Sequence, residues 1–245
     1  MNRRDGRLPQ QMRSLNFVPD FVSNSLASVL VQWGQTKVLC CANVSSRLPA
    51  WLLDSGKGWI TAEYSMLPGS THSRSEREAA KGRQGGRTLE IQRLIGRALR
   101  ATTDLERLGP LQITIDCDVL QADGGTRTAS ISGGYVALAM ALERLRRKGT
   151  ISTHCRATPV AAVSVGLLGQ DCFTDLDYSE DSNAAVDLNV VFLPQEQLIE
   201  VQGTGEKSAF TPAQLQQMLA QAFAAGEQIF AAQQEVLATI SPVRP

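Results

Sequence analysis

Two short stretches join paired glycines to an arginine and a threonine: Asp123-Gly124-Gly125-Thr126-Arg127-Thr128 and Gly85-Gly86-Arg87-Thr88. Each precedes a segment with helical patterning. Paired glycines let the main chain turn tightly and bring its N–H groups close to a ligand. The helix that follows directs its positive end to the same place, so either stretch suits an anion. An arginine adds a planar fork that can grip two phosphate oxygens at once. For each stretch alone, a tight turn beside a surface arginine is the competing explanation, and Asp123 is then an Asx-turn residue. Neither is a nucleotide P-loop, which needs Gly-x-x-x-x-Gly-Lys-Ser/Thr. Gly203-Thr204-Gly205-Glu206-Lys207-Ser208 comes nearest, but Lys207 follows Glu206 and the spacing fails.

A third constellation is acidic. Val186, Leu188, Val190 and Phe192 alternate, which predicts a strand with Asp187 and Asn189 on its other face and Asp181 just before it. A carboxylate inside an apolar strand is costly unless it is paired or bound to a cation. Two carboxylates suit Mg²⁺, which keeps several waters and shares the rest of its shell with phosphate oxygens. A salt bridge to one of the arginines is the alternative. Together the three constellations suggest phosphoryl transfer. Bringing an anionic phosphate up to a phosphodiester is electrostatically uphill, and arginines with a divalent ion offset that repulsion. No Ser-His-Asp triad is evident: His72 falls in a predicted loop and His154 follows a predicted helix.

The elements that must position these residues read as an α+β order. Ser28 to Val44 is a predicted hairpin broken at Trp33-Gly34-Gln35-Thr36, and Gly58 to Met66 adds a strand. Gly69 to Gly86 has almost no apolar residue and reads as a long mobile loop. Thr88 to Leu108 is expected to be one helix, with Ile91, Leu94, Ile95, Ala98 and Leu99 on its buried face and Glu90 able to pair with Arg93. Leu111 to Leu120 alternates as a half-buried strand, and Ala129 to Lys148 is a second helix. Its closing run of Arg144, Arg146, Arg147 and Lys148 suits the negative end of the helix dipole. Strands follow at Val160 to Leu168, Ala184 to Phe192 and Leu198 to Gln202. A helical region over about 211–240 opens at Thr211-Pro212. No linker divides residues 1–245, so one compact unit is expected.

The chain has 24 Lys+Arg against 24 Asp+Glu, so a broadly basic nucleic-acid binder is excluded and any such contact must be local. The charge is nevertheless segregated. Arg74 to Arg107 carries nine basic residues against five acids, whereas Asp171 to Glu206 carries nine acids and no Lys or Arg. A polyanion suits the first region and cations the second, with solvated helix faces as the plain alternative. No apolar run is long enough for a membrane span. The polar start and five cysteines without a Cys-x-x-Cys pair lead to the expectation of a reduced, cytoplasmic protein without a zinc site.

The string Gly86-Arg87-Thr88-Leu89-Glu90-Ile91-Gln92-Arg93-Leu94-Ile95-Gly96-Arg97-Ala98-Leu99-Arg100 closely resembles the signature of the ribonuclease PH family. Ile115-Asp116-Cys117-Asp118-Val119-Leu120-Gln121-Ala122-Asp123-Gly124-Gly125-Thr126-Arg127-Thr128-Ala129-Ser130 matches it too, as do Gly58 to Pro68 and Asp5-Gly6-Arg7. The resemblance runs from about residue 3 to 235. It implies the ribonuclease PH fold, akin to the second domain of ribosomal protein S5, with mixed β-sheets packed against helices. It also implies a phosphate-dependent 3′ exoribonuclease that trims tRNA precursors and other RNA 3′ ends. Such an enzyme releases nucleoside diphosphates, can run in reverse, and assembles as a homohexamer, a trimer of dimers. By resemblance, Arg87, Gly125, Thr126 and Arg127 hold inorganic phosphate, the co-substrate. Asp181 and Asp187 look like the catalytic carboxylates that bind Mg²⁺, with Arg127 beside them. Arg74, Arg77 and Arg83 in the loop look like RNA contacts, and Arg93 and Arg97 on the helix are grouped with them.

The chain departs from the family's pattern at Ser25-Leu26-Ala27-Ser28, where Ala-Glu-Gly-Ser is common. That replaces a permissive glycine and a charge, and it bears on local turn geometry and a subunit contact. Two competing functions remain. A non-catalytic RNA-binding ring subunit should lose the phosphate arginines or the acidic pair, and both are present. An NTP-driven enzyme would need a nucleotide site that the sequence does not encode.

Overall fold

The computed structural model describes residues 3–169 and 171–240. Nine strands and five α-helices lie among them: β1 Leu15–Pro19, β2 Ala27–Trp33, β3 Thr36–Ser45, β4 Trp59–Met66, α1 Gly86–Ala101, α2 Leu105–Leu108, β5 Gln112–Gln121 and α3 Thr126–Arg147, then β6 Ala161–Leu168, β7 Asp171–Thr174, α4 Tyr178–Asp181, β8 Val186–Leu193, β9 Gln197–Gly205 and α5 Pro212–Ala238. They form two sheets, ordered β1-β2-β3-β5-β4 and β7-β6-β8-β9. All pairings are antiparallel except β4 with β5. That parallel pair requires a crossover, and α1 supplies it by packing on β4.

The hairpin forms as its sequence predicts, with Trp33 opposite Thr36 across a two-residue turn and Gly34 at φ +57°. On β5, Ile113, Ile115, Cys117 and Val119 are buried, matching the alternation. Helix α3 lies between the sheets, packing on β2, β3 and β5 on one side and β6 on the other. A helix buried on nearly all faces must be small where strands approach it. Gly133 shows the need: a Cβ there would lie 2.1 Å from the Val31 Cγ2. Side chains of both sheets, α1, α3 and α5 join in one contiguous apolar core.

Three expectations change. The helix predicted over Thr88 to Leu108 is two helices, because Thr102 and Thr103 turn their hydroxyls onto the Leu99 carbonyl. Thr102 O then pairs with Thr158 N, and Asp104 caps α2 through Glu106 N and Arg107 N. Helix α3 begins at Thr126 rather than Ala129, so Thr126 and Arg127 sit in its first turn. Strands β1 and β7 and helix α4 were not foreseen. The loop between β4 and α1 contains a 3₁₀ turn at Glu78–Lys81. The Glu78 carboxylate accepts from Gly85 N and Thr88 Oγ1, tying the loop to the start of α1. At the departure from the family pattern, the Ser28 hydroxyl bonds both main-chain groups of Val22, and Arg144 donates to Leu26 O at 2.7 Å. The turn is therefore closed without the glycine.

Candidate phosphate and metal site

The Asp123-Gly124-Gly125 turn is held from three sides. Thr36 Oγ1 donates to Gly124 O at 2.7 Å and accepts from Asp123 N at 3.0 Å. The Arg13 guanidinium donates to Asp123 O. Asp123 is not an isolated Asx turn, because its Oδ1 accepts from Tyr178 N at 3.4 Å and so joins the turn to α4. Gly124, at φ +74°, has no room for a side chain: a Cβ would lie 2.5 Å from Leu176 O. Gly125 is likewise left-handed and serves as the N-cap of α3. Thr126 Oγ1 is bonded to the buried Tyr64 hydroxyl at 2.8 Å.

Helix α4 is only four residues long and depends on its neighbours. Asp177 and Glu180 form a capping box, and the fully buried Arg3 clamps Glu180 through two bonds of 2.8 and 2.7 Å. Arg3 also donates to the carbonyls of Thr174 and Asp175. Asp175 accepts from Arg13 N, Arg13 Nε and Trp33 Nε1 on one oxygen and from Arg13 Nη2 on the other. Lys207 Nζ reaches Ser182 O at 3.1 Å, just past Asp181. In the stretch that superficially suggests a P-loop, Gly203 to Gly205 belong to β9 and no helix follows directly. Arg3, Arg7, Arg13, Asp175 and Glu180 are the positioning set that the sequence reading did not assign. Their partners lie 160 or so residues away along the chain, and only Asp5-Gly6-Arg7 gave any sign of them.

One cavity of about 450 Å³ gathers the predicted residues. Arg87, Gly125, Thr126 and Asp181 line it, with Met66, His72 and Tyr178 among the others. Both glycine-arginine stretches therefore meet at one place. Arg127 and Asp187 are not among its lining residues, but Arg127 acts electrostatically on both Asp181 and Asp187. Burial raises the Asp181 carboxyl above its ordinary range, and Arg87 and Arg127 oppose that rise. Asp187 is pushed up to about 6, first by burial and then by the Asp181 charge. Its Oδ2 accepts from Asn189 Nδ2 at 3.1 Å, while its Oδ1 is buried without a partner. The alternative of a salt bridge between Asp187 and an arginine is not realised.

The remaining predicted residues are spread out. Arg74 is exposed, and Arg77 and Arg83 line a different cavity of about 580 Å³ with Glu63, Asp116 and Asp118. Arg93 is exposed on α1. Arg97 is paired within the chain: Glu200 on β9 takes it in a two-pronged ion pair at 2.9 and 2.7 Å, leaving its side chain 44% exposed. Glu90 does not pair with Arg93; it faces Arg127 at 3.6 Å. All five cysteines are free thiols. No described helix is long and apolar enough to cross a membrane.

Two family models match the chain: the 3′ exoribonuclease family, domain 1, over residues 11–142, and domain 2 of the same family over residues 158–225. Among solved structures, rice (Oryza sativa) Rrp46 is similar with a TM-score of 0.78 at 18% identity, covering 96% of this chain and 100% of that one. The Archaeoglobus fulgidus exosome with RNA bound to the active site gives a TM-score of 0.77 at 18% identity, covering 94% of this chain and 92% of that chain. At that identity the two structures establish the shared fold.

Proposed function

This chain belongs to the ribonuclease PH family of 3′ exoribonucleases, and we propose that it shortens RNA by phosphorolysis. The observation that supports this most is the single cavity lined by Arg87, Gly125, Thr126 and Asp181. Inorganic phosphate is the co-substrate, seated by Arg87 and Arg127 and by the main-chain groups at the start of α3. One of its oxygens attacks the phosphorus of the last phosphodiester. The bond from that phosphorus to the 3′ oxygen breaks, and the terminal residue leaves as a nucleoside diphosphate. The 3′ oxygen takes up a proton, balanced by the one the attacking phosphate gives up, and becomes the new RNA end. Run backwards, the same steps add a nucleotide.

Asp181 and Asp187 fit a divalent cation, in our reading Mg²⁺. The unpartnered Asp187 Oδ1 is a buried acceptor, and the Asp181 charge adds to burial in raising the proton affinity of Asp187. Among the described residues no set of three His, Cys, Asp or Glu side chains is placed to hold a metal, so water and phosphate oxygens would have to complete the shell. Bound there, the cation would neutralise charge on phosphate and on the cleaved diester. The His72 and Tyr178 rings, 6.3 Å apart, offer π-faces to a terminal base.

The substrates in this proposal are tRNA precursors and other RNA 3′ ends, and the assembly is a homohexamer, a trimer of dimers, in the cytoplasm. The second reading is a ring subunit that binds RNA without cleaving it, and likeness to rice Rrp46 and the archaeal exosome fits that equally. The retention of Arg127, Asp181 and Asp187 favours catalysis. A 3′-extended tRNA incubated with the protein and Mg²⁺, with and without phosphate, separates them. Phosphorolysis yields nucleoside diphosphates only when phosphate is present; RNA retained intact in both arms supports the ring subunit. Nucleoside monophosphates would contradict both readings. A solution mass other than six copies would remove the hexamer.

A further inference from the structure

We infer that Gln202, on the second sheet, is the residue that positions Arg127, making the phosphate site depend on strand β9. The inference rests on the phosphorolytic reading for its kinetic consequence only. Arg127 Nη1 donates to Gln202 Oε1 at 3.0 Å. Gln202 Nε2 donates to Glu90 Oε1 and to Glu200 Oε1, each at 3.0 Å. Glu90 also faces Arg127 Nη1 at 3.6 Å, and Glu200 holds Arg97.

The network joins α1, through Glu90, and the first turn of α3, through Arg127, to β9. A carboxamide is suited to this place because it accepts from the guanidinium while donating to two carboxylates. Both carboxylates demand the N–H side, so the oxygen must face Arg127. A carboxylate at 202 would set three like charges together, and an apolar residue would leave Arg127 to Glu90 alone. The Arg127 side chain is 17% exposed, so little water is at hand to replace the lost bond. Held by one nitrogen on Gln202, the guanidinium keeps its other donors for an anion. Gln202 does not line the cavity; it acts through its bond to Arg127.

The test compares wild type with Gln202→Met, which keeps the side-chain length and removes the amide. Phosphorolysis of a tRNA precursor should show the KM for phosphate raised roughly tenfold, the fold-change expected for one lost charge-assisted hydrogen bond. The kcat at saturating phosphate and the KM for RNA should stay within about twofold of wild type on the same reasoning. Crystals of the variant should show Arg127 swung from its wild-type rotamer with β9 in place. An unchanged phosphate KM, or a fall in kcat alone, would overturn the inference. If wild type makes no nucleoside diphosphate, the phosphorolytic reading fails while the crystals still decide this one. An Arg127 that keeps its rotamer in the variant overturns the positioning role whatever the kinetics.

Discussion

Asp175 and Asp187 are both acids sunk into the second half of the chain, and their surroundings could hardly differ more. Asp175 is 1% exposed, sits at φ +55°, and receives bonds from Arg13 and Trp33 on both oxygens, with Arg7 at 3.6 Å. Asp187 receives one bond from Asn189 and leaves Oδ1 bare. The first is saturated and the second is starved. Asp175 is the more deeply buried of the two, and Asp187 is half-buried with its Oδ1 shut off from water, so depth does not mark the proposed cation ligand; a missing partner does.

Removing each acid tests that contrast in opposite directions. Asp175→Ala strands the Arg13 charge inside the protein, and breaking a buried pair in this way costs about 3–5 kcal/mol. Urea unfolding should show that loss, and a variant as stable as wild type would erase the distinction. Asp187→Asn should abolish turnover yet stabilise the protein measured without divalent cation at pH 7. The gain is on the order of 3 kcal/mol, from about 1.4 kcal/mol per unit of displacement between 3.8 and about 6.

The sign follows from linkage. The folded protein holds the Asp187 proton up to about pH 6 rather than the ordinary value near 3.8. The stabilisation is complete below the unfolded value and lost as pH rises through about 6. Wild type without cation should therefore lose stability across that window, and Asp187→Asn should lose less, keeping only the contribution of the raised Asp181. If Asp187 holds Mg²⁺, protons compete with it for the same oxygen, so thermal stabilisation by Mg²⁺ should fade as pH drops below about 6, and calorimetry across pH 5–8 reads this. Equal Mg²⁺ stabilisation of wild type and Asp187→Asn would show that the starved acid is not a cation ligand.

The smallest expected effect concerns the surface. Arg97→Ala breaks an exposed ion pair with Glu200 and should change stability by less than about 1 kcal/mol. Its RNA affinity should change less than that of Arg93→Ala, because Arg97 is already engaged and Arg93 is exposed. Filter binding at two salt concentrations compares them, and a larger loss for Arg97 would restore it as an RNA contact.

Much of the site could be read from residue types. The glycines of Asp123-Gly124-Gly125 announce a left-handed turn whatever surrounds them, and the alternation around Ile115 fixes which side chains of that strand face inward. Asp187 could be picked out because an acid among Val186, Leu188 and Val190 is anomalous by itself. What stayed hidden is what long-range pairing decides. Strand β7 and helix α4 are four residues each, too short for any periodicity. The break at Thr102 and Thr103 depends on Thr158 across the fold. Arg97 looked free because Glu200 is 103 residues away, and the Arg3–Glu180 clamp spans 177. Helix spacing reports what a residue turns away from, not what meets it there.

In the proposed reaction an oxyanion and a cation share the space beside α3. The most direct measurement is a crystal grown with phosphate and Mn²⁺, read by anomalous scattering. We predict an anomalous peak at the Asp187 Oδ1 with phosphate held by Arg127 and Arg87. Phosphate bound elsewhere, with no anomalous scatterer at Asp187, would contradict the account.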